Sequence, residues 1–227
     1  MRPRKNPESE GRAALAAVAH VQDNGRPATS RIRRLRRSDL PVDTVELAQY
    51  LIGKVLVHDV PRGRLSGRIV ETEAYVVGDA ACHAYRGPTR RNASLYLEHG
   101  HAYVYFIYGT SYLMNVAGEA EGTGAAVLLR ALEPIEGIGL MEQHRGTARL
   151  FDLTRGPGRL AVAMQIGRRH DGLDLCGGED LWLGAAAGRT GSIGQSVRIG
   201  ITKEMDRMLR FYERGNPFVS GLKRLNL

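Results

Sequence analysis

A mixed α+β fold, a single domain with a curved, mostly antiparallel β-sheet flanked by helices, is predicted by three features of this 227-residue chain. Its length and a hydrophobic content of 43% suit one sizeable apolar core. Five strand-like stretches lie between residues 54 and 134, the first two joined by a short turn and the last three by Gly109 and one Gly-rich loop. Helical patterning dominates only after Pro134.

The elements follow in order. Asp43 can cap a helix over TVELAQYLIG, in which Leu47, Ala48, Leu51 and Ile52 form one apolar face and Gly53 supplies the stop. The ordered domain is expected to begin just before it, near Ser38. KVLVHDV and RLSGRIVETEAY read as a β-hairpin with Pro61 to Gly63 as its turn. AYVYFIYG, SYLMNVAG and AAVLLRALEP are three further strands, joined at Gly109 and then by the loop EAEGTG. Helices are expected over IEGIGLMEQHRG and GPGRLAVAMQIG. Strand-like pieces follow at LDLCG, EDLWLG and SVRIGIT, before RMLRFYERGNPFVSG closes the domain around what could be a barrel-like sheet.

The formal charge of +8 is concentrated at one end. Residues 1–37 hold ten Lys/Arg and three Asp/Glu, a net of +7, which leaves +1 for residues 38–227. The first 37 residues therefore read as a basic, disordered tail. Such a tail would attract phosphates without choosing a site, and added salt would weaken it. Its Ala13 to Ala19 run is too short and too weakly apolar for a secretory core or a membrane span. The simplest location is intracellular, with an organelle-type transit peptide left open because the tail is Arg-rich and acid-poor. Cys82 and Cys176 lie far apart with no CxxC or Cys/His clustering, so neither a disulfide framework nor a structural zinc is indicated. A nucleophilic pair of Cys82 and His83 is disfavoured, since neighbours on a strand point to opposite faces.

On an extended GRIVETEAY strand, Ile69, Glu71, Glu73 and Tyr75 share a face. Two carboxylates spaced by two residues lie roughly 7 Å apart and can divide labour, one ionised and one with a raised pKa. Glu71 and Glu73 are equal candidates on this ground, and two exposed charges on the wet side of a strand are the plain alternative. In AYVYFIYG, Tyr103 and Tyr105 share a face, as pocket walls or as core, while Tyr108 falls on the other parity just before Gly109. A ring at a hairpin tip can act as a wedge that offsets the loss of stacking when a nucleotide leaves a duplex. Asn115, within an apolar run, can donate to and accept from a base edge, or satisfy a neighbouring backbone group. Arg130 sits inside AAVLLRALEP, where a guanidinium must be paired, by a carboxylate of GRIVETEAY or by a phosphate.

Together GRIVETEAY, TRRN, YVYFIYGTSYLMNV, VLLRALEP, RGPGRL and RFYERGNPFVSG closely resemble the alkyladenine (3-methyladenine) DNA glycosylase family, in order, from about Pro41 to Ser220. The resemblance implies a monofunctional glycosylase of base excision repair. Such an enzyme flips alkylated or deaminated purines out of double-stranded DNA and hydrolyses the N-glycosidic bond with an activated water. It implies a mixed α/β domain without a metal or organic cofactor, and a monomer is the default. Residue by residue, Glu73 matches the general base, Arg130 an arginine that holds the water, and Ile199 a residue whose backbone carbonyl touches it. Tyr75 and His83 match one wall of the base pocket and Tyr105 the other, Tyr108 matches the intercalating tyrosine, and Asn115 matches a residue that discourages guanine. Arg91, Asn92 and Arg159 are candidate phosphate or loop contacts. Two other classes compete: a non-catalytic module that flips and shields damaged bases, and a carbohydrate hydrolase using Glu71 and Glu73 as paired carboxylates.

Overall fold

The computed structural model describes residues 32–107, 109–188, 190–222 and residue 226. The tail through residue 31 and Tyr108 lie outside the described residues. The described chain is one mixed α+β unit with a nine-stranded antiparallel sheet and three α-helices. The strands are β1 (Arg33–Arg34), β2 (Val55–Val60), β3 (Gly63–Tyr75), β4 (Ala102–Ile107), β5 (Ser111–Ala117), β6 (Ala126–Glu136), β7 (Leu181–Ala185), β8 (Ile193–Ser196) and β9 (Arg210–Glu213). The helices are α1 (Thr44–Leu51), α2 (Ile138–Arg145) and α3 (Pro157–Ala163). Within the stretch that charge assigns to the tail, Arg33 and Arg34 pair with β7 and Leu35 is buried. Among the described residues no helix is long and apolar enough to cross a membrane.

The sheet runs β1-β7-β2-β3-β6-β5-β4 and is not closed; β9 joins β3 and carries β8 on its other side. The thirteen-residue β3 is the hub, paired with β2, β6 and β9. Most polar groups on its later half are therefore enclosed rather than wet. The main core packs the three helices against the sheet, with Leu47, Ala48 and Leu51 from α1, Met141 from α2 and Leu160 from α3. Asp43 caps α1 by accepting from the backbone N–H groups of Val45 and Glu46, a contact worth about 1 kcal/mol. Thr72 donates from its hydroxyl to the Ala48 carbonyl at 2.8 Å and fixes α1 over β3.

Four expectations change. β6 continues through Pro134 to Glu136, and α2 starts only at Ile138 because Gly137 (φ 74°) breaks the extended chain. LDLCG forms a turn with one isolated bridge, since the Asp174 carboxylate accepts from the Cys176 N–H at 2.9 Å and bends it. β8 ends at Ser196, so SVRIGIT is mostly loop. Finally, Ile69 does not share a face with Glu71. It joins the main core while Val70 joins a second cluster with Ala131, Tyr212, Phe218 and Val219.

That last change comes from two opposed β-bulges. Ile69 pairs with Leu132 and Glu71 with Ala131, so Val70 has no partner on β6; Thr72 pairs with Leu129, so Arg130 has none on β3. Val70 flips the parity of β3, and the Arg130 bulge turns that guanidinium towards the carboxylate face.

Candidate active site

Glu71 and Glu73 are both fully buried, not exposed on a wet face. Arg130 bridges them, with Nε 2.8 Å from Glu71 Oε1 and Nη1 3.2 Å from Glu73 Oε1. Their other partners differ. Glu71 Oε1 also accepts from Arg210 Nε at 2.7 Å and from the Ser220 hydroxyl at 3.0 Å, and its Oε2 accepts from the Ser220 N–H at 2.7 Å. Glu73 Oε1 accepts from the Ile199 N–H at 2.7 Å, and Oε2 from the Tyr75 hydroxyl at 3.0 Å.

The electrostatics follow from these partners. Burial raises the pKa of Glu71, but Arg130 and Arg210 outweigh it and hold the carboxyl below the usual carboxylate range. For Glu73 burial prevails over Arg130, the Ile199 N–H and the Tyr75 hydroxyl, and the neighbouring Glu71 charge adds to it, so its pKa is raised. One carboxylate is held as an anion and the other is tuned towards proton exchange. Burial and the Glu73 charge also raise the pKa of Tyr75, which keeps its hydroxyl a donor.

Three partners of Glu73, namely Tyr75, Arg130 and Ile199, line a cavity of about 400 Å³ together with His83, Tyr105 and Asn115, among others. Six of the residues singled out in the sequence thus converge on one space. Within it the His83 and Tyr105 rings meet edge-on with centroids 4.5 Å apart. Tyr103 is core, 2% exposed against Leu95 and Ala126, and its hydroxyl lies 2.9 Å from His83 Nδ1. Burial, then the Arg91 charge, lowers the His83 pKa, so the ring is neutral near pH 7. Asn115 is buried and donates from Nδ2 to the Tyr103 carbonyl at 3.1 Å. Cys82 also lines the cavity, and burial pushes its thiol pKa up, away from nucleophilic use.

The three candidate DNA contacts separate. Asn92 is buried and spends both ends of its amide within its own loop, accepting from Thr89 N–H and hydroxyl at 2.6 and 2.8 Å and donating to the His83 and Gly87 carbonyls at 2.9 and 3.1 Å. It is a loop lock that positions His83. Arg91 is exposed and reaches the Phe106 carbonyl at 3.3 Å. Arg159, on α3, pairs with Asp152 at 2.8 Å, both half-exposed.

Sequence reasoning missed the residues that hold this site. Arg198 forms a fully buried, two-pronged ion pair with Asp79 and donates to the Ala74 carbonyl at 3.0 Å. Its guanidinium also lies over the Tyr75 ring, 4.6 Å from the centroid. Being adjacent to Ile199, it sets the loop whose N–H meets Glu73. Arg210 and Ser220 perform the equivalent task for Glu71. The available signal was an arginine flanked by apolar residues, as in VRI and LRF, the same pattern that drew attention to Arg130. One group among the described residues, His58, His170 and Asp180, has the spacing of metal ligands, and none of the three lines the cavity.

Comparison with known proteins agrees with this geometry. The family described as "Methylpurine-DNA glycosylase (MPG)" matches residues 38–217. A protein of Mesorhizobium japonicum named "Putative 3-methyladenine DNA glycosylase" is 60% identical over 191 residues, 84% of this chain and 92% of its own length. One of the same name from Paraburkholderia phytofirmans is 53% identical over 84% of this chain and 90% of its own. Another from Chlorobaculum tepidum is 45% identical over 83% and 91%. The chain belongs to the methylpurine-DNA glycosylase family.

Proposed function

We propose that this chain flips alkylated or deaminated purines out of duplex DNA and hydrolyses their N-glycosidic bond with a water activated by Glu73. Family membership supplies the coarser part, a DNA glycosylase, hence a hydrolase of DNA repair. The observation that carries the finer part is the contrast between two buried carboxylates sharing Arg130, with only Glu73 raised in pKa and its partners lining an aromatic cavity.

A raised pKa makes Glu73 a stronger base once ionised, able to take a proton from water as that water attacks the sugar carbon. Arg130, held by Glu71, orients that water, and Ile199 closes the site beside it. The flipped base rests against Tyr75, Tyr105 and neutral His83, faces that favour a cationic alkylpurine. To stack between His83 and Tyr105 it must part their rings by roughly 2.5 Å, given two van der Waals separations. Entry of the base is therefore coupled to opening of this wall. Asn115, anchored to the Tyr103 carbonyl, presents its amide at the base edge, and Tyr108 fills the space left in the stack. Exposed Arg91 and Arg159 contact phosphates.

The test is base release from duplex oligonucleotides carrying single lesions. Glu73→Gln should lower release by about 10²- to 10⁴-fold with lesion binding retained. Tight binding by the intact chain without release from any lesion would sink the proposal in favour of a shielding module.

A further inference from the structure

Outside the lining of the cavity, two buried imidazoles meet edge-on. His58, on β2, is fully buried, and its Nδ1 lies 2.6 Å from the Met164 carbonyl. A carbonyl only accepts, so Nδ1 carries the proton and Nε2 presents its lone pair. Nε2 is 3.1 Å from Arg169 Nη2 and 3.7 Å from Asp180 Oδ2. His170 is also fully buried, and its Nε2 has no hydrogen-bond partner. Its Nδ1 lies 3.1 Å from the Gly167 carbonyl and 3.0 Å from the Gly167 N–H. The rings meet at 89°, centroids 4.8 Å apart.

A buried ring nitrogen without a partner costs about 1–3 kcal/mol, so its persistence calls for a cause. His58 has the surroundings of a metal-binding histidine, one ring nitrogen fixed by a backbone carbonyl and the other free to meet an ion, and His170 takes the same form in the tautomer whose Nδ1 donates to the Gly167 carbonyl rather than accepting from the Gly167 N–H. One ligand atom from each of His58, His170 and Asp180 lies within 4.8 Å of the other two. A tetrahedral ion with bonds of ~2.0–2.1 Å draws donors to about 3.4 Å, a closure of up to roughly 1.4 Å at the widest pair. A cation already occupies the approach: Arg169 pairs with Asp180 at 3.1 Å and with His58, yet 62% of its side chain is exposed, so it can swing out without disturbing the core.

We infer that His58, His170 and Asp180 form a three-ligand site for a borderline divalent ion, zinc(II), which displaces the Arg169 guanidinium. Two imidazoles and one carboxylate suit that ion and leave a fourth position for water. Because none of the three residues lines the cavity, the ion has a structural role. It ties β2 to the turn at residues 168–170 and to the entry of β7.

The experiment is zinc titration of the chelator-treated full chain, read by thermal unfolding and by the absorption of a cobalt(II) substitute. A saturable rise in Tm of several degrees with one ion per chain is expected, since an ion that binds only the folded state stabilises it. Asp180→Asn, at a half-exposed position, should weaken binding at least tenfold, and Arg169→Ala should tighten it. Base release should be equal with and without zinc. Three results would overturn the inference: no saturable binding, an unchanged zinc effect in both Asp180→Asn and Arg169→Ala, or base release that falls on chelation and returns with zinc.

Discussion

Glu71 and Glu73 stand two residues apart on one strand, share one arginine and are equally buried, yet they have opposite electrostatic fates. Glu71 meets a second buried arginine and both polar groups of Ser220, so its charge is overdetermined. Glu73 meets one backbone N–H and one phenol instead, and burial prevails. Burial alone therefore does not decide the pKa of a carboxylate; the number of full charges facing it does. The Glu71 side of the site is scaffold, and the Glu73 side is where ionisation remains negotiable.

The sharpest way to break this comparison is to neutralise each carboxylate in turn. Glu71→Gln puts an amide N–H against groups that only donate and removes the buried anion that Arg130 and Arg210 share, so unfolding in urea should show a loss of about 3–5 kcal/mol. Glu73→Gln can point its oxygen at the Ile199 N–H and its nitrogen at the Tyr75 oxygen, and should stay within about 1 kcal/mol of the parent. Equal losses for both would end the distinction between scaffold and base.

The pH dependence separates them again. The folded pKa of Glu71 is depressed, so its contribution to stability is present above the unfolded value and is lost as pH falls through the folded one. That of Glu73 is raised, so ionisation opposes folding increasingly as pH climbs from the unfolded value through the folded one. Glu73→Gln should therefore gain stability relative to the parent as pH rises through that window. Under the proposed mechanism base release needs ionised Glu73, so its acid limb should fall above the usual carboxylate range; a limb at or below that range would contradict the raised pKa.

A smaller effect tests the loop that feeds Glu73. Arg198→Lys keeps the charge but loses the fork on Asp79, loosening the Ile199 N–H. Release should drop about tenfold, roughly the 1.4 kcal/mol of one hydrogen bond to a charged group, with the acid limb moved further up. A drop without movement of the limb would make Arg198 merely structural. Two further substitutions test the loop that carries His83. Asn92→Ala should cost about 1–3 kcal/mol of stability through the loop that holds His83, whereas Arg91→Ala should leave stability alone and lower the salt slope of DNA binding by about one.

Much of the architecture was legible because its signals are local. The Asp43 cap, the turn between β2 and β3, and the strands β4 to β6 each follow from residues near one another in sequence. Of the cavity-lining residues, Tyr105, Asn115 and Arg130 stood out by their position in a strand, whereas His83 and Ile199 were legible only through the full motif set, and the choice between Glu71 and Glu73 came from family resemblance rather than from spacing. What escaped notice was non-local. A bulge residue such as Val70 has the composition of an ordinary strand residue, and Arg198 in SVRIGIT looks like one polar position of an alternating strand. Asn92, set beside Arg91 in the same short run, has a loop-locking role that appears only once His83 and Gly87 are brought to its amide.

By itself the sequence determined the mixed α+β class, the succession of strands β2 to β6, the family, and the residues that carry charge and aromatic faces, because periodicity, capping and turn chemistry act over a few residues. Only the tertiary structure decided how those residues work. The two bulges place Arg130 between the carboxylates, Arg210 and Arg198 reach the site from distant segments, and the local balance of burial against charge raises one glutamate while lowering the other. Electrostatics depends on the distances of every neighbouring charge, and those are fixed only when the chain has closed on itself.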